Sequence, residues 1–353
     1  MNALLNSPTM LAVPEVGVTD AIKLDVPIDW DGILTAAAIT APELKALPLT
    51  PREQLLGKWF LEGDFGFIFA PRGVGKTWLA MHFAHAIATG GMAGPWAAPK
   101  PRRVLIVDGE MALDLTKQRI GVLCKPPSDN LMFLHHELVF QQTGKALNLT
   151  SLPVQEALLE HAIENKIDVL MLDNLSCLFS GVAENDADAW ELILPWILRL
   201  RRHKIAVVII AHAGRNGQMR GTSRREDAAV WILSLSEPAQ ASTATTGARF
   251  VARFTKCRNT PSEDAPALEW HFQRKGADGV TVKWTVADPL AIFRGWIEEG
   301  LDTCGDLSTE MGVSKGTISK LAKRAQNAGW LIVGKGRRYE IVSTSDQRKP
   351  YAD

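Results

Sequence analysis

The sequence predicts an α/β protein with a doubly wound, mostly parallel sheet and a small C-terminal module. Three observations carry this reading. From Phe65 onward, apolar runs of strand length alternate with amphipathic stretches over roughly 200 residues. A glycine-rich turn, Ala70–Thr77, joins the first of these runs to a helix. Near Asp288-Pro289 the composition changes, and a compact pattern of helices and a hairpin begins.

The bulk properties agree. The chain has 353 residues, 46% hydrophobic and 22% charged, enough for one large core and a smaller module. Its 39 basic residues balance 39 acidic ones, so any nucleic-acid partner must be recognised by local patches. Cys124, Cys177, Cys257 and Cys304 stand alone, without metal-ligand or redox spacing, and read as reduced thiols of a cytoplasmic protein. No leader pattern opens the chain, and no window approaches the roughly 18 apolar residues of a membrane span.

In chain order, residues 1–50 carry scattered prolines and weak periodicity and read as an N-terminal arm. Residues 51–287 form the α/β domain. Its predicted strands are Phe65–Ala70, Val104–Asp108, Leu131–Leu134, Val169–Asp173 and Ala206–Ala211, extended by Ala228–Leu235 and Arg249–Lys256. Helices are expected over Lys76–Ala88, with Leu79, Phe83 and Ala84 on one face, and over Val154–Asn165 and Ala187–Arg202. Glu237–Gly247 reads as a loop tip. Residues 288–343 form the C-terminal module, and 344–353 a tail. The eleven tryptophans receive no functional account from sequence.

Ala70, Pro71, Arg72, Gly73, Val74, Gly75, Lys76 and Thr77 form a P-loop in its required context, between a buried strand and a helix. Gly73 and Gly75 let backbone N–H groups wrap a phosphate, at a helix N-terminus that favours negative charge. Lys76 would neutralise the β- and γ-phosphates of ATP, and the Thr77 hydroxyl would hold Mg²⁺. Asp173 ends an apolar strand and is the expected carboxylate of the Mg²⁺ shell. Val104–Glu110 presents Asp108 and Glu110, on a strand expected beside the P-loop strand, with Glu110 the expected general base. His212 closes another apolar strand and is placed to report loss of the γ-phosphate.

A P-loop, then a glutamate after the next strand, an aspartate-ended strand and a histidine-ended strand resemble the RecA-like ATPase core. More narrowly, they resemble the RepA-type hexameric replicative helicases of broad-host-range plasmids. The stretch from His212 to Ala229 is similar to that family's histidine, glycine-rich loop and Arg-Gly-Ser-Ser segment. Phe254–Asn259 resembles the Lys-x-Arg element of hexameric helicases.

The resemblance implies a hexameric homo-oligomer working on DNA in a plasmid, phage or integrated element, with a replication initiator or primase as possible partner. It implies a finger residue supplied in trans, for which Arg220, Lys256 and Arg258 compete. It also implies a DNA-gripping loop, Ala213–Asp227, carrying Arg215, Arg220, Arg224 and Arg225, and a partner loop at Ala183–Asp188 whose acidity opposes phosphate contact.

The C-terminal module reads as a helix (Ala291–Glu299), a short helix (Leu307–Met311), a turn and a longer helix capped by Ser314. A hairpin of Trp330–Val333 and Arg337–Val342 follows around Gly334–Gly336. This order resembles the winged helix-turn-helix. It would present Lys315, Thr317, Ser319, Lys320, Lys323 and Arg324 from the recognition helix, and Lys335, Arg337 and Arg338 from the wing. Residues 310–349 hold nine basic and three acidic side chains, a local excess that points to DNA, with a protein-docking role as the alternative. The expected activity is ATP-driven translocation on single-stranded DNA. A recombination ATPase and a nucleotide-gated DNA-binding regulator are the competing readings.

Overall fold

A computed structural model of the chain describes residues 28–179, 187–213, 223–238, 247–261, 263–276, 279–311 and 313–342. The chain divides into two compact units, 1–51 and 52–353. In the first, α1 (Trp30–Ala37) is capped by Asp29. Thr40 and Glu43 cap α2 (Ala41–Ala46) reciprocally, satisfying helix N–H groups that have no intrahelical acceptor.

The second unit opens with the hairpin β1 (Gln54–Leu56) and β2 (Phe60–Leu61), then β3 (Phe65–Ala70) and α3 (Lys76–Thr89). A small hairpin, β4 (Met92–Ala93) and β5 (Trp96–Ala97), precedes β6 (Val104–Asp108), α4 (Leu113–Leu123) and β7 (Leu131–His135). The helices α5 (His136–Thr143) and α6 (Leu152–Glu164) lead to β8 (Val169–Asp173). Next come α7 (Leu175–Leu178), α8 (Ala187–Arg202), β9 (Ala206–His212) and α9 (Ser223–Ala228). The sheet ends with β10 (Trp231–Ser236), β11 (Gly247–Cys257), β12 (Leu268–Lys275) and β13 (Gly279–Val286).

Among the described residues, nine strands make one sheet in the order β13-β12-β11-β10-β3-β9-β8-β6-β7. From β10 to β7 the pairings are parallel, as buried apolar strands joined through helices require; β11, β12 and β13 add antiparallel. Side-chain alternation divides the core. Phe65, Phe67 and Phe69 point into the layer under α6 and α8, while Ile68 and Ala70 face α3.

Three sequence expectations are corrected here. Val104–Asp108 does not lie beside the P-loop strand: β9 and β8 stand between β6 and β3. Residues 228–230 belong to the end of α9 and its exit, so the strand begins at Trp231. The helix after the P-loop is also not amphipathic with one buried face, because Trp78, Ala80, Met81, Phe83 and Ala86 are buried around it. Its second cover is the antiparallel extension: Trp78 meets Phe272 at 6.0 Å and Phe83 meets Trp270 at 6.0 Å between ring centroids.

Several of the tryptophans find their explanation in this layer. Trp59 packs edge-on against Trp96 at 5.4 Å and Trp231 at 4.9 Å, within the core around α3. Gly66 permits the approach, since a Cβ there would lie 2.2 Å from the Trp231 ring on the neighbouring strand.

The C-terminal module consists of α10 (Pro289–Glu298), α11 (Cys304–Glu310), α12 (Lys315–Asn327), β14 (Leu331–Val333) and β15 (Tyr339–Ile341). Asp288, Thr303 and Ser314 cap its helices, and Phe293, Leu307, Ile318, Leu321, Trp330 and Tyr339 form its core. The hairpin strands are shorter than the sequence pattern, because Lys335–Arg337 forms a 3-10 turn with Gly336 at φ 74°.

The module packs on the sheet within the same compact unit. Arg253 of β11, 3% exposed, lies 2.7 Å from Glu299 and 3.5 Å over the Trp296 ring, and Ser234 donates to the same carboxylate.

Candidate functional site

The site gathers at the carboxyl ends of the parallel strands. β3 runs into Gly73 and Gly75, at φ 81° and 128°, a left-handed backbone that side chains rarely tolerate. Gly75 is needed twice over, because a Cβ would sit 2.6 Å from the Phe250 ring of β11, whereas the space at Gly73 is open. That open cradle at the start of α3 fits a phosphate group, with the helix N-terminus behind it.

Register then delivers the side chains. Ala70 of β3 pairs with His212 of β9, and Asp173 of β8 pairs with Ile210 of β9 and Asp108 of β6. Lys76 Nζ donates to the carbonyls of Ala70 at 3.0 Å and Pro71 at 2.9 Å, and lies 3.1 Å from His212 Nδ1. Burial pulls its pKa down to about 8, against the attraction of Asp173 and Glu110. Thr77 Oγ1 donates to Asp173 Oδ2 at 2.8 Å, which joins the hydroxyl and carboxylate expected to hold Mg²⁺. Burial raises Asp173 to about 6; the Thr77 hydrogen bond opposes the rise, and Asp108 and Glu110 add to it.

The two acids after β6 separate by role. Asp108 is buried and fully engaged, accepting from the backbone N–H groups of Glu110 and Met111 and from Thr116 Oγ1 at 2.8 Å. It therefore shapes the turn that presents Glu110, whose carboxylate stays 47% exposed. Although β6 is two strands from β9, Glu110 reaches the site: Asn174 Nδ2 donates to it, and His212 Nε2 stands 3.8 Å away. Asn174 Nδ2 is also 3.1 Å from His212 Nε2, so this buried amide links the carboxylate to the histidine.

Asn174 was missed by sequence reasoning, although it directly follows Asp173. Its side-chain oxygen also caps α7 by accepting from Cys177 N, a role that hides its second one. Arg119 of α4 was missed as well. Its guanidinium lies 5.7 Å from the centroid of the Trp78 ring, next to Thr77, within electrostatic reach of Asp173, Asp108 and Glu110. No local pattern marks it, since α4 was not foreseen.

Other expected site residues lie apart or outside the described residues. Arg215 and Arg220 lie outside them, as does most of the acidic loop after Phe179. Arg224 and Arg225 fall on α9, where only the backbone is described. Lys256 donates to the carbonyls of Glu226 and Asp227 at the end of α9, and Arg258 is exposed. On α12, Lys315, Ser319, Lys320, Lys323 and Arg324 are exposed, with Arg324 3.3 Å from Asp288. Thr317 is half-buried, its hydroxyl 3.0 Å from that of the cap residue Ser314. On the hairpin, Arg337 is exposed and Arg338 meets Asp302 at 2.8 Å; Lys335 is described by its backbone alone.

The model of the AAA domain family matches residues 34–218. Among solved structures, the flagellar accessory protein FlaH from Methanocaldococcus jannaschii is similar at 13% identity and a TM-score of 0.42, covering 63% of this chain and 90% of that one. No curated protein matches by sequence. The sheet order sets the P-loop at the end of the central strand of a mostly parallel α/β sheet, in keeping with the matched family. Among the described residues, no helix is long and apolar enough to cross a membrane.

Proposed function

The chain belongs to the AAA domain family of P-loop ATPases, and from that premise we propose that it is a DNA-dependent ATPase, assembled as a ring, that translocates on single-stranded DNA as a helicase. The observation that carries the reading is the chain of contacts Glu110–Asn174–His212–Lys76. It connects the carboxylate and the lysine of the cleft to the last residues of β9, directly before the arginine-bearing segment 213–227, expected from sequence as a loop but ending on α9.

In this reading Lys76 and the P-loop amides bind the phosphates of the substrate ATP. Thr77 and Asp173 would hold Mg²⁺, which supplies charge neutralisation when bound. Glu110 accepts the proton of the attacking water, and Asn174 holds its carboxylate in place. His212 touches both Lys76 and Asn174, so a change in the phosphates is felt at the loop that follows it. A neighbouring subunit supplies the cation that stabilises the transition state, with Arg220, Lys256 and Arg258 as its sources. The C-terminal module, with the element order of a winged helix, holds duplex or forked DNA through α12 and the hairpin.

The test is ATP-driven separation of a forked duplex by wild type and Lys76→Ala, with single-stranded tails of each polarity. Unwinding from one tail polarity, lost in Lys76→Ala, is the expected result. DNA-stimulated hydrolysis without unwinding would instead favour a recombination ATPase or a nucleotide-gated DNA-binding regulator.

A further inference from the structure

The antiparallel extension has two unlike faces. One carries Phe250, Trp270 and Phe272 into the core around α3. On the other, the register sets Arg249, His271 and Lys283 directly opposite one another across β11, β12 and β13, so all three point the same way. Next to this row on the same face come Glu269 with Thr285, then Gln273 with Thr281, then Lys275. Lys275 and Lys283 are exposed. Glu269, the one acid of this face on the three strands, is held by Arg249 at 2.6 Å. His271 Nε2 is buried in the middle of the row, with no hydrogen-bond partner among the described residues.

This face continues into the C-terminal module. Val251 of the same face packs with Ala287 and Ala291 at the start of α10. Arg324 of α12 reaches Asp288, two residues past the end of β13, and Lys320 lies one turn before Arg324 on the same side of the helix. Lys283 stands three residues before Val286, about 10 Å along the strand.

We propose that the outward face of β11–β13 is a phosphate-binding track for nucleic acid, continuous with α12 and formed by Lys275, Lys283, Arg249 and the neutral donors Gln273 and Thr281. It rests on the DNA reading of the protein and adds to it a surface outside both the loop and the recognition helix. Cations interspersed with amide and hydroxyl donors suit a phosphodiester backbone, which accepts from all of these groups without regard to sequence. An acidic polypeptide is less well matched, since Glu269 would oppose its carboxylates while the neutral donors add little charge.

The experiment titrates the full-length protein with a fluorescent forked DNA from 50 to 300 mM salt. The double variant Lys275→Gln/Lys283→Gln is compared with Lys320→Gln/Lys323→Gln and with Lys145→Gln, which lies at the opposite edge of the sheet. Melting curves confirm that each is folded. The track predicts affinity roughly tenfold to a hundredfold lower for the first variant at 0.1 M salt. It also predicts a log–log salt slope smaller by about 1.4 to 1.8, and no change for Lys145→Gln.

Wild-type affinity and slope in the first variant, with weakened binding in the α12 variant, overturn the track and leave the DNA reading standing. Absence of DNA binding by the wild type overturns both. Competition by polyglutamate as effective as by unlabelled DNA, lost in the first variant, assigns the surface to an acidic protein and overturns the nucleic-acid assignment.

Discussion

In the P-loop cleft, Lys76, Asp173, Asn174 and His212 are buried and touch one another or a shared neighbour, while on α12 and the hairpin Lys320, Lys323, Arg324 and Arg338 are exposed, and the last two each meet one surface carboxylate. Burial makes each group in the cleft depend on the others: Asp173 is held near pKa 6 by desolvation against the Thr77 hydrogen bond, and Lys76 near 8 by the same cause. Exposed cations are screened and independent, so their effects are small, additive and dependent on salt. The difference is that between a coupled site and a set of independent surface charges.

The largest effect expected on the cleft side is from Asp173→Asn. Hydrolysis should fall at least about a hundredfold, while thermal stability near pH 7.5 rises by a few degrees. The sign follows from the raised pKa. Between the ordinary carboxylate value of 3.8 and about 6 the folded protein binds the extra proton, so stability falls as pH rises through that window, and the cost of the buried charge is fully present above it. Removing the charge removes that cost, and the stability gain should vanish below about pH 4. Melting curves across pH, read beside turnover, check both halves. Equal melting temperatures at pH 7.5 would mean that Asp173 is not held as a strained carboxylate.

A smaller loss is expected at Asn174. Asn174→Ser keeps an oxygen for the cap of α7 and removes the amide that holds Glu110. We expect kcat to drop roughly a hundredfold with KM within about twofold. A KM effect with unchanged kcat would place Asn174 in nucleotide binding and break the link between Glu110 and His212.

The smallest effect belongs to the exposed side. Arg338→Gln should weaken binding to forked DNA a few-fold at 0.1 M salt, with a slope change near one unit. Melting should move by less than about a degree, because the Arg338–Asp302 pair is 62% and 31% exposed. A cooperative loss of folding would show that this side too is internally coupled.

Much of the architecture was legible in the chain. The parallel strands β3, β6, β7, β8 and β9, the P-loop and the helices around 154–165 and 187–202 are marked by local apolar runs and turn chemistry, which act over a few residues. β12 and β13 were not foreseen. Their alternation of aromatic and polar residues, as in Leu268–Lys275, is the mark of a two-faced strand, and it lay between the stretch Arg249–Lys256, read as the last strand, and the module boundary near Asp288. α4 escaped for another reason: its apolar residues sit at its two ends, Leu113 and Leu115 in the first turn and Ile120, Val122 and Leu123 in the last, with the polar run Thr116–Arg119 between them.

Within the site the division is sharper. Lys76, Thr77 and Asp173 were readable because a phosphate cradle and a carboxylate-ended strand are local constructions. The order of strands is not local. It set β9 and β8 between β3 and β6, contrary to the sequence reading, and yet the turn held by Asp108 still carries Glu110 to Asn174 and His212.

Residues 64 positions apart in the chain, such as Glu110 and Asn174, meet only when the sheet closes. The same holds for Arg253 with Glu299, and for the row Arg249–His271–Lys283. Patterning along the chain specifies which elements form, because propensity, capping and burial act within a few residues. Which side chains then face one another depends on strand order and register, and those follow from the packing of all the elements together.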